Sequence, residues 1–185
     1  MDIRTKKYAI SIMSEDRPGI VASVSGGILD LQGNIAAISQ TVVNGFFTII
    51  LVAEFPEHVT AEVLQDKMLK SGGAGEFGVI VKDYKEPPVP DSLKSGSRQY
   101  VLTANGPDAS GIVFLISMNL SRRGINILDI SGHKEQDQII LVAQLEVPDN
   151  IDLQCLQDEL AAIGMKKNIS IHLQHINIFK ETNRI

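Results

Sequence analysis

The sequence predicts an α+β fold: a small βαββαβ unit, an antiparallel sheet with two helices on one face, written twice in tandem. Three observations carry this. Segments recur at a fixed spacing along the chain, hydrophobic periods of two and 3.6 residues alternate within each copy, and a Pro-rich joint separates the copies. Tyr8-Ala9-Ile10-Ser11 returns as Tyr100-Val101-Leu102-Thr103, and Gly19-Ile20-Val21 as Gly111-Ile112-Val113, both 92 residues on. Asn34-Ile35 with Ile38-Ser39 returns as Asn126-Ile127 with Ile130-Ser131, also 92 residues on. Ile49-Ile50-Leu51-Val52-Ala53 returns unchanged as Ile139 to Ala143, at a spacing of 90, and Leu64-Gln65-Asp66 as Leu156-Gln157-Asp158, back at 92. That change of two predicts a deletion in the hairpin between the second and third strands. Two copies are too few for a solenoid, so duplicated domains are the reading.

Taken in order, residues 7–14 read as a strand, and Ile20, Val21, Val24, Ile28 and Leu31 recur at helical spacing. Residues 34–43 and 46–55 read as strands around Asn44-Gly45, a type I′ hairpin signal because both residues tolerate positive φ. Thr60 can cap a helix over 61–71, which Gly72, Gly73 and Gly75 terminate, and Phe77 to Tyr84 closes the unit as a strand. The second copy reads strand 99–105, helix 110–123, strands 125–133 and 138–147, helix 152–163 and strand 168–179. This order is that of a split-βαβ, ferredoxin-like sandwich. The domains are expected at 1–86 and 99–185, with 87–98 (Pro87-Pro88-Val89-Pro90, then Ser92, Ser95, Gly96 and Ser97) as a linker, stiff first and flexible later. The Ile-Ile-Leu-Val-Ala strands do not alternate with polar residues, so both their faces are expected to be buried. Helices cover one face; the other is expected to pack on the second repeat or a second subunit, unless it lies beneath a loop.

Composition narrows the function. Of 185 residues, 44% are hydrophobic and 21% charged, the balance of a folded globule. No apolar run reaches the ~18 residues of a membrane span, and Met1-Asp2-Ile3-Arg4, lacking an apolar h-region, is not expected to open a signal peptide. The single cysteine, Cys155, rules out an internal disulfide and fits a cytoplasmic location. Net charge is −5, with no basic surplus in either half, which argues against direct nucleic-acid binding.

The residues with chemistry lie in the first strand-to-helix turn, Ser14-Glu15-Asp16-Arg17-Pro18-Gly19. Pro suits a helix start, Asp16 can accept from free N–H groups, and Gly19 permits close approach. Free amides and the positive helix end suit a ligand carboxylate, while Asp16 could meet an ammonium group. An amino acid carries both charges. The plainer alternative makes Asp16 a helix cap and Arg17 a solvated side chain. Asn34 opens the second strand, expected to lie beside the first and so near the loop, and its amide could serve either charge.

Asp16-Arg17-Pro18-Gly19-Ile20-Val21, a helix and then Gly33-Asn34-Ile35 resemble the ACT domain, a regulatory βαββαβ module. The resemblance covers nearly the whole chain, twice. It implies an effector amino acid near the strand-to-helix loop and the opening of the second strand, often across a paired-domain interface. Carried over, this points to Ser14, Asp16, Arg17, Gly19, Ile20 and Asn34. In the second copy, Asn105-Gly106-Pro107-Asp108-Ala109-Ser110-Gly111-Ile112-Val113 loses Arg-Pro but keeps Asp108, Gly111 and Ile112, and Asn126 matches Asn34. Asp108 or Ser110 could cap that helix. Its loop could bind a different ligand, bind weakly, or serve as an interface. The two-domain layout is similar to the glycine-cleavage-system transcriptional repressor group, which implies action through a partner regulator rather than by reading DNA. Partners implied are thus an amino-acid effector and a homo-oligomer or regulatory protein, with no cofactor.

Other features read as structural. His58, His133, His172 and His175 lack metal-ligand spacing, Cys155 reads as a small core residue, and Arg122-Arg123 as helix-end charges. Gly72-Gly73-Ala74-Gly75 reads as a terminator, without the Lys-Ser/Thr of a phosphate loop. Adjacent Phe46 and Phe47 point to opposite faces, against an RNA-stacking surface, and no Cys-x-x-Cys stands in the loop of a metal carrier. ACT units accompany catalytic domains in formyltetrahydrofolate deformylases and some serine phosphatases. Ending at Ile185, this sequence is expected to leave room for neither, and no nucleophile–base pair is evident, so no enzyme is expected. The rival reading is a protein-interaction scaffold with empty ligand sites.

Overall fold

A computed structural model describes residues 5–73, 75–86 and 96–182. The chain divides into two compact units, residues 1–87 and 88–185. The first runs β1 (Thr5–Glu15), α1 (Ile20–Asp30), β2 (Asn34–Val43), β3 (Phe46–Pro56), α2 (Ala61–Ser71) and β4 (Gly78–Asp83). The second runs β5 (Ser97–Pro107), α3 (Ile112–Ser121), β6 (Asn126–Glu135), β7 (Gln138–Pro148), α4 (Leu153–Lys167), β8 (Ser170–His175) and α5 (Ile176–Thr182). Each unit is an α+β, ferredoxin-like βαββαβ sandwich. The sheets are antiparallel, ordered β2-β3-β1-β4 and β6-β7-β5-β8.

Alternation along the central strands builds each core. Tyr8, Ile10 and Ile12 of β1 and Ile49, Leu51, Ala53 and Phe55 of β3 are buried beneath Ile20, Val24 and Ile28 of α1 and Leu64 and Met68 of α2. Tyr8 donates its hydroxyl to the Val59 carbonyl at 2.9 Å, so its one polar group is satisfied inside. The second core repeats this with Leu102, Ala104, Leu141, Ala143, Leu145, Ile116, Leu120, Leu156 and Leu160. Asn44 and Gly45 both take positive φ, 48° and 83°, as the type I′ reading expects. Thr60 caps α2 by accepting from the Val63 amide, and Gly72 ends it; a Cβ on Gly72 would meet the Phe77 ring at 2.4 Å.

Several expectations are corrected. β2 does not lie beside β1: β3 pairs with both and stands between them. The α1 crossover returns the chain to the level at which β1 began, so Asn34 pairs with Glu54, which pairs with Lys7. No residues are deleted in the second hairpin. Val43 faces Phe46 and Glu135 faces Gln138 across two-residue turns, and Ile12–Ile49 corresponds to Ala104–Leu141, so the structural spacing is 92 throughout. The repeated Ile-Ile-Leu-Val-Ala is therefore offset by two residues between equivalent strands. Because strand faces alternate with period two, the even shift still points Ile49, Leu51 and Ala53 inward, as it does Leu141 and Ala143.

The last strand stops at His175, and the residues expected to continue it form α5 instead. The His175 ring packs edge-on to Tyr100, and its Nδ1 accepts from the Asn177 amide at 3.3 Å, turning the chain into the helix. Cys155 is exposed rather than in the core; its Sγ lies 3.6 Å from a Glu159 carboxylate oxygen. Of the expected linker, residues 87–95 lie outside the described residues, while Ser97 and Arg98 already pair with Pro148 and Val147 in the sheet. Within the first unit, β3 is buried on its helix-facing side, while Ile50, 59% exposed, and Phe46, also exposed, lie on the other.

Candidate functional site

The β1–α1 turn is pinned at two places. The Asp16 amide donates to the Gly45 carbonyl at 2.8 Å, tying the turn to the tip of the β2–β3 hairpin. Arg17 donates through its guanidinium to the Gly72 carbonyl at 3.1 Å and pairs with the Glu76 carboxylate. Both partners stand on the α2–β4 connection, which the β1–β4 pairing of Met13 with Gly78 brings alongside. A cleft of about 350 Å³ opens here, lined by Ser14, Glu15, Arg17, Gly75 and Glu76. Ser14 is buried, and its hydroxyl donates to the Glu15 carbonyl at 3.1 Å.

The helix N-termini at the two loops differ from those of α2 and α4. Thr60 caps α2, and Asp152 caps α4 by accepting from the Gln154 and Cys155 amides at 2.9 and 3.1 Å. By contrast α1 and α3 start from glycines, Gly19 and Gly111, at φ 93° and 83° with no side-chain cap. Asp16 is thus not the cap expected of it, and neither are Asp108 and Ser110. The left-handed glycine places the chain's turn at the cap position itself, leaving the acid three residues outside the helix. First-turn amides left without a side-chain acceptor can accept an anion.

The remaining predicted residues separate. The side chains of Ile20 and Ile112 are buried in the two cores, so each offers a ligand its backbone alone. Asn34 is exposed at the far end of the sheet: nine residue steps along the chain separate the level of Lys7 from Asp16, about 30 Å. Asn126 pairs with Glu146 and stands equally far from Asp108. Each unit on its own therefore brings together Ser14, Asp16, Arg17, Gly19 and Ile20, or Asp108, Gly111 and Ile112, but not the asparagine. In the second loop Asp108 repeats the backbone tie, to the Asp137 carbonyl at 2.8 Å, and its carboxylate accepts from Lys134 Nζ at 2.8 Å. That hydrogen bond raises the Lys134 pKa above its ordinary value. A recess of about 620 Å³ in this unit lies between α4 and β8, lined by Asn105, Asn168, Ser170 and His172 among others. Glu76 was not singled out in the sequence, and Gly72 was read only as a helix terminator; the signal for Glu76 was an acid just before the strand that pairs with β1. Among the described residues no three metal-ligating side chains cluster.

Residues 8–67 match the family model of the ACT domain. A UPF0237 protein of Methanosarcina acetivorans is 30% identical over 90 residues, covering 48% of this chain and 98% of that relative. The chain belongs to the family of these UPF0237 proteins, with an ACT domain in its first repeat. A UPF0237 protein of Methanosarcina mazei is 35% identical over 79 residues, 42% of this ACT protein and 84% of the relative. Two solved structures share the fold of the whole chain. A protein of unknown function from Galdieria sulphuraria has a TM-score of 0.75 at 18% identity, covering 93% of this chain and 99% of its own. A protein provisionally described as a glycine cleavage system transcriptional repressor has a TM-score of 0.67 at 16% identity, covering 92% and 96%. No helix among the described residues is long and apolar enough to cross a membrane.

Proposed function

We propose that this ACT protein is a non-catalytic regulator that binds an amino acid at the β1–α1 loop of its first repeat and signals through domain or subunit packing. The observation that carries the reading is the α1 N-terminus, which has no side-chain cap and whose cap residue, Gly19, stands two residues after Arg17, whose cleft holds both a guanidinium and carboxylates. The α-carboxylate goes to the first-turn amides and Arg17, drawing the latter from Glu76; the ammonium goes to Asp16 or to the carboxylate that Arg17 leaves. Exchange of the Arg17 partner links ligand binding to the α2–β4 connection. Asn34 lies too far from its own loop to share that ligand, so it contributes only from another ACT unit, the paired arrangement that the family resemblance implies. A cytoplasmic protein acting on a regulator of amino-acid metabolism, without contacting DNA itself, is the wider role that the layout supports.

The Asp108–Lys134 pair favours a second reading for the second repeat, whose loop then serves as structure or interface. A thermal-shift screen against the common amino acids tests both. One ligand should stabilise the protein by ~2.7 kcal/mol at 100 times its Kd. Arg17→Ala should weaken it at least tenfold, while Asp108→Ala should not. No shift with any amino acid at millimolar concentration leaves the scaffold reading.

A further inference from the structure

The sheet face turned away from the helices is built differently in the two units. In the first it carries Met13, Val43, Phe46, Ile50 and Ile80, all exposed; Ile50 and Ile80 are 59% and 58% accessible. Across the four strands, in the order β4-β1-β3-β2, the pairings set Ile80, Ser11, Ile50 and Ser39 in one row. The next row is Lys82, Ala9, Val52 and Ala37. Large and small side chains alternate along both rows. Ala9 and Ser11 floor a recess of about 230 Å³ walled by Ile50, Ile80 and Lys82.

We infer that two copies of this chain associate through this face, Ile50 of each copy seated over Ser11 of the other and Ile80 over Ser39. The alternation is self-complementary. A two-fold axis parallel to the strands, midway between β1 and β3, lays β3 of one copy over β1 of the other and β4 over β2 at unchanged height. In both rows every large residue then meets a small one: Val52 faces Ala9, and Lys82 faces Ala37. This is the large-on-small interdigitation that packed layers require, in the isologous form of a closed dimer.

The size and charge of the face also suit a second copy. Four strands at ~4.8 Å spacing and about eight residues of strand give roughly 500 Å² in projection, before side-chain relief is added. A standard interface buries about 800 Å² per partner. Charge on the two rows is confined to Lys82, and the neighbouring Lys7 and Glu54 already pair with each other at 2.8 Å. Equivalent rows of the second unit read His172, Thr103, Val142, Ser131 and Gln174, Val101, Gln144, Asp129. There α5 packs against β5 and β8, Val101 is 2% exposed, and the polar positions would bury unpaired groups on docking. The apolar pattern is therefore a property of the first unit, not of the fold.

Light scattering after gel filtration of the full chain at about 50 μM, without added amino acid, reads the inference separately from effector binding. The wild type should have the mass of two chains, and Ile50→Glu and Ile80→Glu the mass of one, with native circular dichroism because both sites are exposed. His172→Glu, at the second-unit position equivalent to Ile80, should remain dimeric. Cross-linking fixes the pairing and survives any folding defect of the charged variants. With Cys155→Ser, the double variant Ile80→Cys/Ser39→Cys should give a covalent dimer with a bismaleimide of ~10 Å reach, the spacing of stacked sheets. Within one sheet those positions are three strands, about 14 Å, apart, and neither single variant should cross-link. A monomeric wild type, a dimer unchanged by both glutamates, or equal dissociation by His172→Glu would overturn it.

Discussion

Residue n of the first unit corresponds to residue n + 92 of the second, and the comparison separates what the fold needs from what each copy has specialised. Gly19 and Gly111 both begin a helix in the left-handed conformation, and Asp16 and Asp108 both donate an amide to the hairpin tip. These belong to the fold. The side chains around them diverge: Arg17 and Pro18 become Ala109 and Ser110, and the carboxylate exposed at Asp16 is paired with Lys134 at Asp108. The seam between helices reverses polarity. Lys67 of α2 reaches Asp30 of α1 at 2.6 Å, whereas at the same place on α4 Glu159 meets Asn119 of α3 and Arg123 just beyond its end. A duplicated backbone has thus kept its turns and exchanged its chemistry.

The largest expected effect lies in the cores. Phe55 is fully buried against Tyr8, with ring centroids 6.0 Å apart, and Val147 holds the equivalent place in the second unit. Phe55→Ala should cost about 3–5 kcal/mol, because the cavity left by a ring cannot close. Val147→Ala removes two methyl groups and should cost about 2 kcal/mol. Calorimetry would show the first lowering one unit's transition far more than the second lowers the other's. Equal losses would mean that the two cores are packed with equal tightness despite their composition.

Local signals were legible. Asn44-Gly45, Thr60 and Gly72 act within a few residues of themselves, so the hairpin, the α2 cap and its terminator could be read from neighbours alone. Relations set by strand pairing were not. Placing Asn34 beside the loop required knowing that β3 intervenes, and finding Glu76 required the β1–β4 register. The five-residue identity misled in register because an even shift keeps each side chain on its own face. Cys155 was misplaced because an amphipathic helix offers several flanking positions, and only packing decides which are covered. The α5 helix depends on a His175 contact with Tyr100 that links residues 75 apart in sequence.

A smaller effect distinguishes the two kinds of helix start. Asp152 accepts from two amides of α4, so Asp152→Ala should cost about 1 kcal/mol. Asp16→Ala removes no cap and should change stability by less than ~0.5 kcal/mol while weakening any ammonium-bearing ligand. Denaturant titrations of the two variants check this directly. A loss at Asp16 as large as that at Asp152 would return it to a capping role and remove it from the site.

The smallest effect comes from the reversed seam. Glu159 accepts from Asn119 Nδ2 at 2.7 Å, and that hydrogen bond, with the Arg123 charge, holds its pKa below the usual glutamate value of 4.5. A carboxylate depressed in the folded state contributes stability that is fully present above its unfolded pKa and lost as pH falls through the lower folded value. Because Glu159 is only half-buried, the contribution is screened and modest. Glu159→Gln cannot titrate, so the stability gap between wild type and variant should hold from about pH 7 to just above 4.5 and shrink below it. Urea titrations at several pH values, followed through a probe in the second unit, would measure the gap. A gap constant down to about pH 3 would place the seam's stability in shape rather than charge. Lys67→Gln should leave the second unit's acid sensitivity as it was, since the first seam carries its carboxylate, Asp30, on the opposite helix.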